Sequence, residues 1–549
     1  MIQLTRRHLL TAAGAAAVAA GLSACSDDGE GSTEGLDGKR AGAMEGFKAG
    51  DQFKATEPLS FSIMMLSNQA YPYKADWPFF KELTARTNVT LESTAVPGSD
   101  YNQKRSVVVS AGDAPMIIPK TYHPDEEAFI AGGAILPVSD YVDLMPHFKD
   151  KVARWNLQAN LDGFKAEDGK YYLLPGLHEN TWQDYSLAVR TDVMEKLKLT
   201  APTTWDDLTG VLREMKKAYP DQYPLSDRWS TPPQPGANNL FNLVGTSYGT
   251  RAGWGWNPME WDATAARFVY SGSMDQYRQT LEYVHNLVKE GLLDPESFTQ
   301  TDDVARQKFA TGKSFVMSCN AQTLVNEARK DIAKLPGAKV AKMILPIGPA
   351  GATLPGHTRL ENGIMISKKA LESKNFVAMM QFIDWLWYSD AGLMFSKWGI
   401  EGQTYTGKVD DGSFKLDPGI KWAGLNPDAT KDLQVDYGFF NGVFAYGGST
   451  AMLNSQFSEE EKAFQAEMNK REIRPVAPPA PLTIEEREQV TLWDSALKDH
   501  VFQNTLKFAL GQRPLSEWDA YVKELEGKNA TKYVDIVNKA YERYKKAHG

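Results

Sequence analysis

The sequence predicts an α/β fold: a largely parallel sheet with helices packed against its faces. Three observations carry this. Segments of strand and helix character alternate β-α-β-α-β between residues 59 and 118, the order of a parallel sheet with crossover helices. The first strand segment, Leu59-Ser60-Phe61-Ser62-Ile63-Met64-Met65-Leu66, alternates and then turns continuously apolar, as a strand buried on both faces does. The alternation resumes after Tyr171-Tyr172-Leu173-Leu174-Pro175, and 549 residues with 42% apolar content suffice for two to four domains, each with a core of its own.

The elements follow in order. Residues 77–87 read as a helix, 89–96 as a second strand rich in β-branched residues, 101–110 as a helix, and Met116-Ile117-Ile118 as a short buried strand entered through Gly112-Asp113. Leu187-Ala188-Val189 opens the second series. Thr204 is placed to cap the next helix, with Asp207 as its capping-box partner. Tyr277, Leu281, Val284, Leu287 and Val288 share one face of a helix over 277–290, which Gly291 ends. A helix over 304–310, strands over 314–317 and 342–347, and a wholly apolar helix over 376–387 come next. The C-terminal part is mainly helical. Ser516 is placed to cap a helix lined by Trp518, Tyr521, Val522 and Leu525, and the proline-rich 476–481 is a rigid connector.

The N-terminus reads as an export signal. Arg6-Arg7 precedes an apolar run from Leu9 to Leu22, and Leu22-Ser23-Ala24-Cys25 closes it as a lipobox. Residues 1–24 are then a signal peptide, and Cys25 is the lipidated first residue of a chain held on the extracytoplasmic face of the cell membrane. Thr5-Arg6-Arg7-His8-Leu9-Leu10 also resembles a twin-arginine signal. Residues 25–56, rich in Gly, Ser, Asp and Glu, read as a flexible tether. With Cys25 acylated, Cys319 has no partner and no disulfide forms.

A net charge of −9 argues against a nucleic-acid partner, which wants a basic patch. Neither H-E-x-x-H nor C-x-x-C occurs and the eight His are scattered, so no metal site and no cofactor is expected. The 14 Trp and 22 Tyr offer rings with an apolar face and a polar edge, which match the C–H faces and hydroxyls of sugars.

Several ordered segments resemble extracellular solute-binding protein family 1, the lipoproteins that feed carbohydrate ABC importers, in its large oligosaccharide-binding subgroup. They are Gly112-Asp113-Ala114-Pro115, Asp168-Gly169-Lys170-Tyr171-Tyr172-Leu173-Leu174-Pro175, Pro202-Thr203-Thr204-Trp205, Phe309-Ala310-Thr311-Gly312-Lys313, Trp398-Gly399-Ile400-Glu401, and Ser516-Glu517-Trp518 running on to Tyr544. The resemblance covers nearly all of the mature chain. It implies a type II periplasmic-binding-protein-like fold of two lobes, a hinge and an interlobe cleft. The N-terminal lobe would span 57–176 plus 348–397 and the C-terminal lobe 177–347 plus 398–549. The chain would cross near 175–179, near 346–348 and between 392 and 398. The implied partners are an oligosaccharide and the permease subunits of an ABC importer, and the implied state is a monomer. Relatives resembling alginate-oligosaccharide binders carry a calcium loop after the Thr-Thr-Trp helix. Here 217–224 holds one carboxylate and no Gly, so no structural calcium is expected.

Candidate ligand contacts follow from position. Tyr122 and Asn320 come just after strands, at carboxyl edges, where open α/β sheets bind ligands. His178, Glu179 and Trp182 follow the first crossing, and Arg359 and Glu361 precede the strand 364–366. Trp254 and Trp256 would share one side of an extended loop. Trp398, with Glu401 and Tyr405 beside it, stands where the family places stacking aromatics. Gly245-Thr246-Ser247-Tyr248-Gly249 matches the G-x-S-x-G nucleophile turn, but the Gly- and Trp-rich sequence after it is a poor helix, which argues against a hydrolase. The chain therefore reads as a binder and not an enzyme. A lipid-anchored glycoside hydrolase and a peptide receptor on a similar fold are the alternatives.

Overall fold

The computed structural model describes residues 35–228, 238–356 and 359–548. The signal segment 1–24 and Cys25 lie outside the described residues. In chain order the strands of the two main sheets are β1 (Leu59–Ser67), β2 (Val89–Pro97), β3 (Ile117–Thr121), β4 (Leu174–Leu177), β5 (Ser186–Arg190), β6 (Val316–Cys319), β7 (Val340–Met343) and β8 (Leu360–Ile366). The helices that matter here are α1 (Pro78–Thr87), α2 (Tyr101–Ser110), α3 (Pro146–Arg154), α4 (Trp205–Ala218), α5 (Asn239–Tyr248), α6 (Asp275–Lys289), α7 (Phe376–Tyr388), α8 (Asp390–Trp398), α9 (Glu459–Met468), α10 (Ile484–Ala509) and α11 (Ala530–His548).

The first sheet has the order β2-β1-β3-β8-β4. β1 runs parallel to β2, in register from Leu59↔Val89 to Ser67↔Pro97, and parallel to β3. β8 enters late in the sequence and lies antiparallel between β3 and β4. The second sheet, β6-β5-β7, is antiparallel throughout. The parallel arrangement suggested by the resumed alternation thus holds only in the first sheet. A short apolar run signals burial but not direction, and direction here is set by the long excursion between β5 and β6.

The cores define two lobes. One cluster gathers buried side chains from Leu36 to Leu177 and from Leu360 to Met452; the other gathers Leu187 to Leu354 and Phe464 to Val537. The chain therefore passes between lobes at 178–185, between Leu354 and Leu360, and at 453–463. Three expectations are corrected. The second passage comes after 346–348, because Leu354 still packs in the second core. The third comes some sixty residues later than 392–398, because residues 398–452, expected in the C-terminal lobe, bury Trp398, Phe439, Phe440, Val443, Phe444 and Tyr446 in the first core. Residues 36–56 of the expected tether also pack on the first lobe. Phe53 is fully buried, and Gln381 Nε2 donates to Met44 O at 3.0 Å. Leu36, Met44, Phe47 and Phe53 make this segment more apolar than its Gly and Asp content suggests.

Local signals explain many elements. Thr204 and Asp207 form the reciprocal capping box at the start of α4. All thirteen residues of α7 are buried, as an all-round apolar helix requires. Ser516 makes no capping bond and lies in a 3₁₀ turn, Leu515–Glu517. No helix among the described residues is long and apolar enough to cross a membrane.

Candidate ligand-binding cleft

Tyr122 follows β3 in the first lobe and Asn320 follows β6 in the second, and the first crossing ends at Tyr185, beside Asn320. β3 delivers Tyr122, which is 52% exposed. β6 delivers Asn320, whose Oδ1 accepts from Thr323 N at 2.9 Å and whose Nδ2 donates to Asp184 at 3.3 Å. Tyr185, at the end of the crossing, hydrogen-bonds the Asn320 side chain and lies in the field of Arg228 and Tyr122. The Trp254 ring meets Tyr185 edge-on at 4.6 Å and is 39% exposed. Tyr185, Trp254 and Asn320 thus adjoin one another on the second lobe, and Tyr122 of the first lobe lies within electrostatic reach of Tyr185. Rings with polar tips and planar amide groups are what recognition of a polyhydroxylated, partly apolar ligand needs.

The crossings form the floor. His178 Nε2 lies 2.8 Å from Glu361 Oε2, which also accepts from Gly447 N at 3.1 Å. Glu179 Oε2 accepts from Thr450 N at 2.7 Å. Arg359 donates to the carbonyls of Glu179 and Asn156, each at 2.8 Å. Trp182 tilts against Phe457 at 5.8 Å. A cavity of about 340 Å³ is lined by His178, Trp182, Arg359 and Glu361. A larger one, about 1070 Å³, opens between His123, Glu127 and Lys165 of the first lobe and Arg251, Glu260, Trp261 and Arg487 of the second. An ion pair between Glu127 and Arg487 bridges the lobes there. Elsewhere Val325 meets Gly424 so closely that a Cβ on that glycine would lie 2.8 Å from Val325 Cγ1.

Two carboxyls at the crossings titrate in opposite senses. Burial raises Glu361, but the hydrogen bond and charge of His178, with Lys397 and Lys120, outweigh it and hold the group at about 2. Burial pushes Asp184 from 3.8 up to about 6; Lys342 and Asn320 oppose the rise and Glu461 adds to it. A carboxyl raised on folding binds its proton more tightly in the native state, so its contribution to stability falls as pH rises through the interval from 3.8 to about 6. The depressed Glu361 contributes stability above 4.5 that is lost only as pH falls from there towards about 2. Asp184→Asn should therefore flatten the decline in melting temperature between pH 4 and about 6, read by calorimetry across that interval. An unchanged pH profile would mean that Asp184 is ionised normally.

The expected site residues divide. Trp254 and Asn320 adjoin Tyr185, Tyr122 lies within electrostatic reach of it, and His178, Glu179, Trp182, Arg359 and Glu361 cluster at the crossings. Trp398 is corrected. It is fully buried, donates Nε1–H to Ser455 Oγ at 3.0 Å and packs on Phe414, Trp422 and Phe440, so no face is open to a ligand. Tyr405, only 9% exposed, packs on Phe414 in the first core, and exposed Glu401 bridges back to it in the same hairpin, with Arg86 of α1 in the field of Tyr405. Trp256 turns into the second core against Tyr270 and Phe502, because Gly253–Gly255 forms a 3₁₀ turn and the two indoles no longer share a side. Ser247 sits inside α5, 1% exposed, and donates to Leu243 O and Pro346 O, so the G-x-S-x-G segment exposes no nucleophile. Among the described residues no three His, Cys, Asp or Glu converge on a metal-sized point.

Sequence reasoning missed Tyr71, Lys120, Tyr185 and Arg228. Tyr185 stands one residue before β5 and Lys120 inside β3, so a rule that looks just after strands passes over both.

The family pattern described as bacterial extracellular solute-binding protein matches residues 67–388. The fructooligosaccharide ABC transporter substrate-binding protein FusA of Streptococcus pneumoniae serotype 4 (strain ATCC BAA-334 / TIGR4) is 24% identical over 489 residues, 81% of this chain and 83% of that one. The polygalacturonan/rhamnogalacturonan-binding protein YtcQ of Bacillus subtilis (strain 168) is 22% identical over 516 residues, 92% and 97% of the two chains. The crystal structure of the alginate-binding protein AlgQ2 without calcium ion superposes with a TM-score of 0.69 at 20% identity, covering 90% of this chain and all of that one. Its likeness establishes the two-lobed type II fold.

Proposed function

We propose, for a chain that belongs to the bacterial extracellular solute-binding protein family, that it captures an oligosaccharide between its lobes and delivers it to an ABC importer. The observation that carries this is the group of Tyr185, Trp254 and Asn320 at the end of the first crossing, with the half-exposed Tyr122 of the other lobe in electrostatic reach of Tyr185. Ligand touching both walls favours closure, since only contacts made in one state shift the balance between two. The binding step needs no covalent chemistry, and the Ser247 environment offers none. The names of FusA, YtcQ and AlgQ2, each given for a carbohydrate or its transport, support this ligand class. The lipobox at Cys25 supports tethering to the outer face of the cell membrane, and a monomer is the simplest unit to dock on the permease.

The test is a thermal-shift screen of the mature chain against oligosaccharides, with peptides as controls. Ligand at about 100 times its Kd adds roughly 2.7 kcal/mol to stability. One sugar class should raise the melting temperature. Tyr122→Ala and Trp254→Ala should each reduce that shift while leaving the ligand-free melt nearly unchanged, because both rings are substantially exposed. A response to peptides alone, or to no sugar, would sink the reading.

A further inference from the structure

We propose that the bound oligosaccharide is acidic, carrying a carboxylate of the uronic-acid kind, and that Lys120 is the residue that reads it; this rests on the carbohydrate reading above. Lys120 occupies the last turn of backbone before Tyr122, at the carboxyl end of β3. Its φ is 55°, in the left-handed region that a residue with a Cβ rarely adopts. The surroundings hold it there. Arg105, itself 3% exposed, donates to Lys120 O at 2.8 Å and to Asp125 at 2.6 Å. Such enforced conformations gather at ligand sites.

The consequence is the placement of the ammonium. Nζ lies 3.3 Å from the Tyr122 hydroxyl and 5.6 Å from the centre of that ring, with Tyr71 and Gly442 alongside. Among the described residues no carboxylate comes within 4 Å of it. The carboxylate whose field it shares, Glu361, is already engaged by His178 and the Gly447 amide. A second ammonium, Lys397, faces the same carboxylate from a position 4% exposed, over the Phe440 ring at 5.0 Å. Two lysines therefore act on one carboxylate that has partners of its own. Of the other acids nearby, Glu179 is turned to the Thr450 amide and Asp184 to Asn320 on the opposite wall.

A sugar stacked on the half-exposed Tyr122 ring would bring a substituent to Lys120. If that substituent were a hydroxyl, closing the cleft would strip water from an ammonium without supplying an anion. A carboxylate there supplies it, and a lysine is suited to the task as a point charge with rotatable donors.

The test is calorimetric titration of the mature chain with trigalacturonate, with neutral galactotriose, and with a sulfated oligosaccharide, each at low and high salt. Trigalacturonate should bind about 10- to 100-fold more tightly than galactotriose, the range a charge-assisted hydrogen bond provides, and salt should erode the difference. Lys120→Met should abolish the preference, bringing trigalacturonate down to the affinity that the same variant shows for galactotriose, whereas Lys120→Arg should retain it. Equal or tighter binding of the neutral sugar, or a preference that survives Lys120→Met, would overturn the inference and leave the carbohydrate reading intact. Binding of the sulfated sugar alone would overturn the carboxylate assignment. Binding of none of these sugars would overturn the acidic-ligand assignment, and the thermal-shift panel then decides whether the carbohydrate reading stands.

Discussion

Asp384→Ala should destabilise the first lobe by about 3–5 kcal/mol, the usual loss when a buried charged partner is removed. Asp384 lies on the otherwise largely apolar, fully buried α7 and is itself fully buried. Its Oδ2 accepts from His147 N at 2.9 Å and from His147 Nδ1 at 2.7 Å, and its Oδ1 accepts from Phe148 N at 2.8 Å. His147 and Phe148 are the second and third residues of α3, where backbone amides lack helical acceptors, and Met145 before it supplies no capping side chain. One carboxylate from a distant helix therefore caps α3. The same imidazole accepts from Gly50 N at 3.0 Å, which ties down the packed segment 36–56. Alanine would leave two amides and an imidazole nitrogen buried without partners. Burial pushes the Asp384 carboxyl up, and the hydrogen bonds and charge of His147 with the Phe148 amide oppose the rise. Asp384→Asn, which keeps one acceptor, should recover part of the loss in a denaturant melt. A melt of Asp384→Ala matching the parent would show that α3 finds another cap.

The sequence was most informative where a local rule decides the outcome. Residues 59–67, 89–97 and 376–388 announce themselves by unbroken or alternating apolar character, and Thr204 with Asp207 by spacing alone. Where the outcome depends on distant partners, legibility fails. The antiparallel direction of β5, the capture of residues 36–56 and the late third crossing are all settled by which core has room, which no window of sequence contains. The site divides the same way. Tyr122 and Asn320 stand just after strands, as expected, because a strand end is a local feature. Trp398 was misplaced because Phe414, Trp422 and Phe440, which enclose it, come from a loop between Gly399 and Gly447 that has few regular elements to predict. A tryptophan covered by three rings is core, whatever its distance in sequence from a cleft.

Lys342→Met should cost the second lobe a comparable amount, about 3–5 kcal/mol, and should show what holds the crossings together. Lys342 and Glu461 have side chains 1% and 4% exposed and pair at 2.8 and 3.0 Å. The same ammonium donates to Asp184 O at 2.7 Å and lies 3.8 Å from the centre of the Phe464 ring. Gln465 donates to Glu461 at 2.8 Å and to Gln183 O at 2.6 Å. One lysine on β7 thus joins the first crossing, at 183–184, to α9 at the end of the third. Methionine fills its volume but strands the Glu461 carboxylate in the interior, and that stranded charge is the main source of the loss. The double variant Lys342→Met/Glu461→Gln removes the charge and should regain most of the melting temperature, a coupling that a double-mutant cycle reads directly. Stability and ligand affinity should then part company. The double variant still lacks the bond to Asp184 O, so its first crossing is less firmly set against α9, and its affinity for sugar should stay below that of the parent even as its melting temperature returns. If the double variant melts as low as the single one, the stranded carboxylate is not what costs stability. If its affinity returns together with its stability, the crossings are positioned by packing alone and Lys342 serves only to neutralise Glu461.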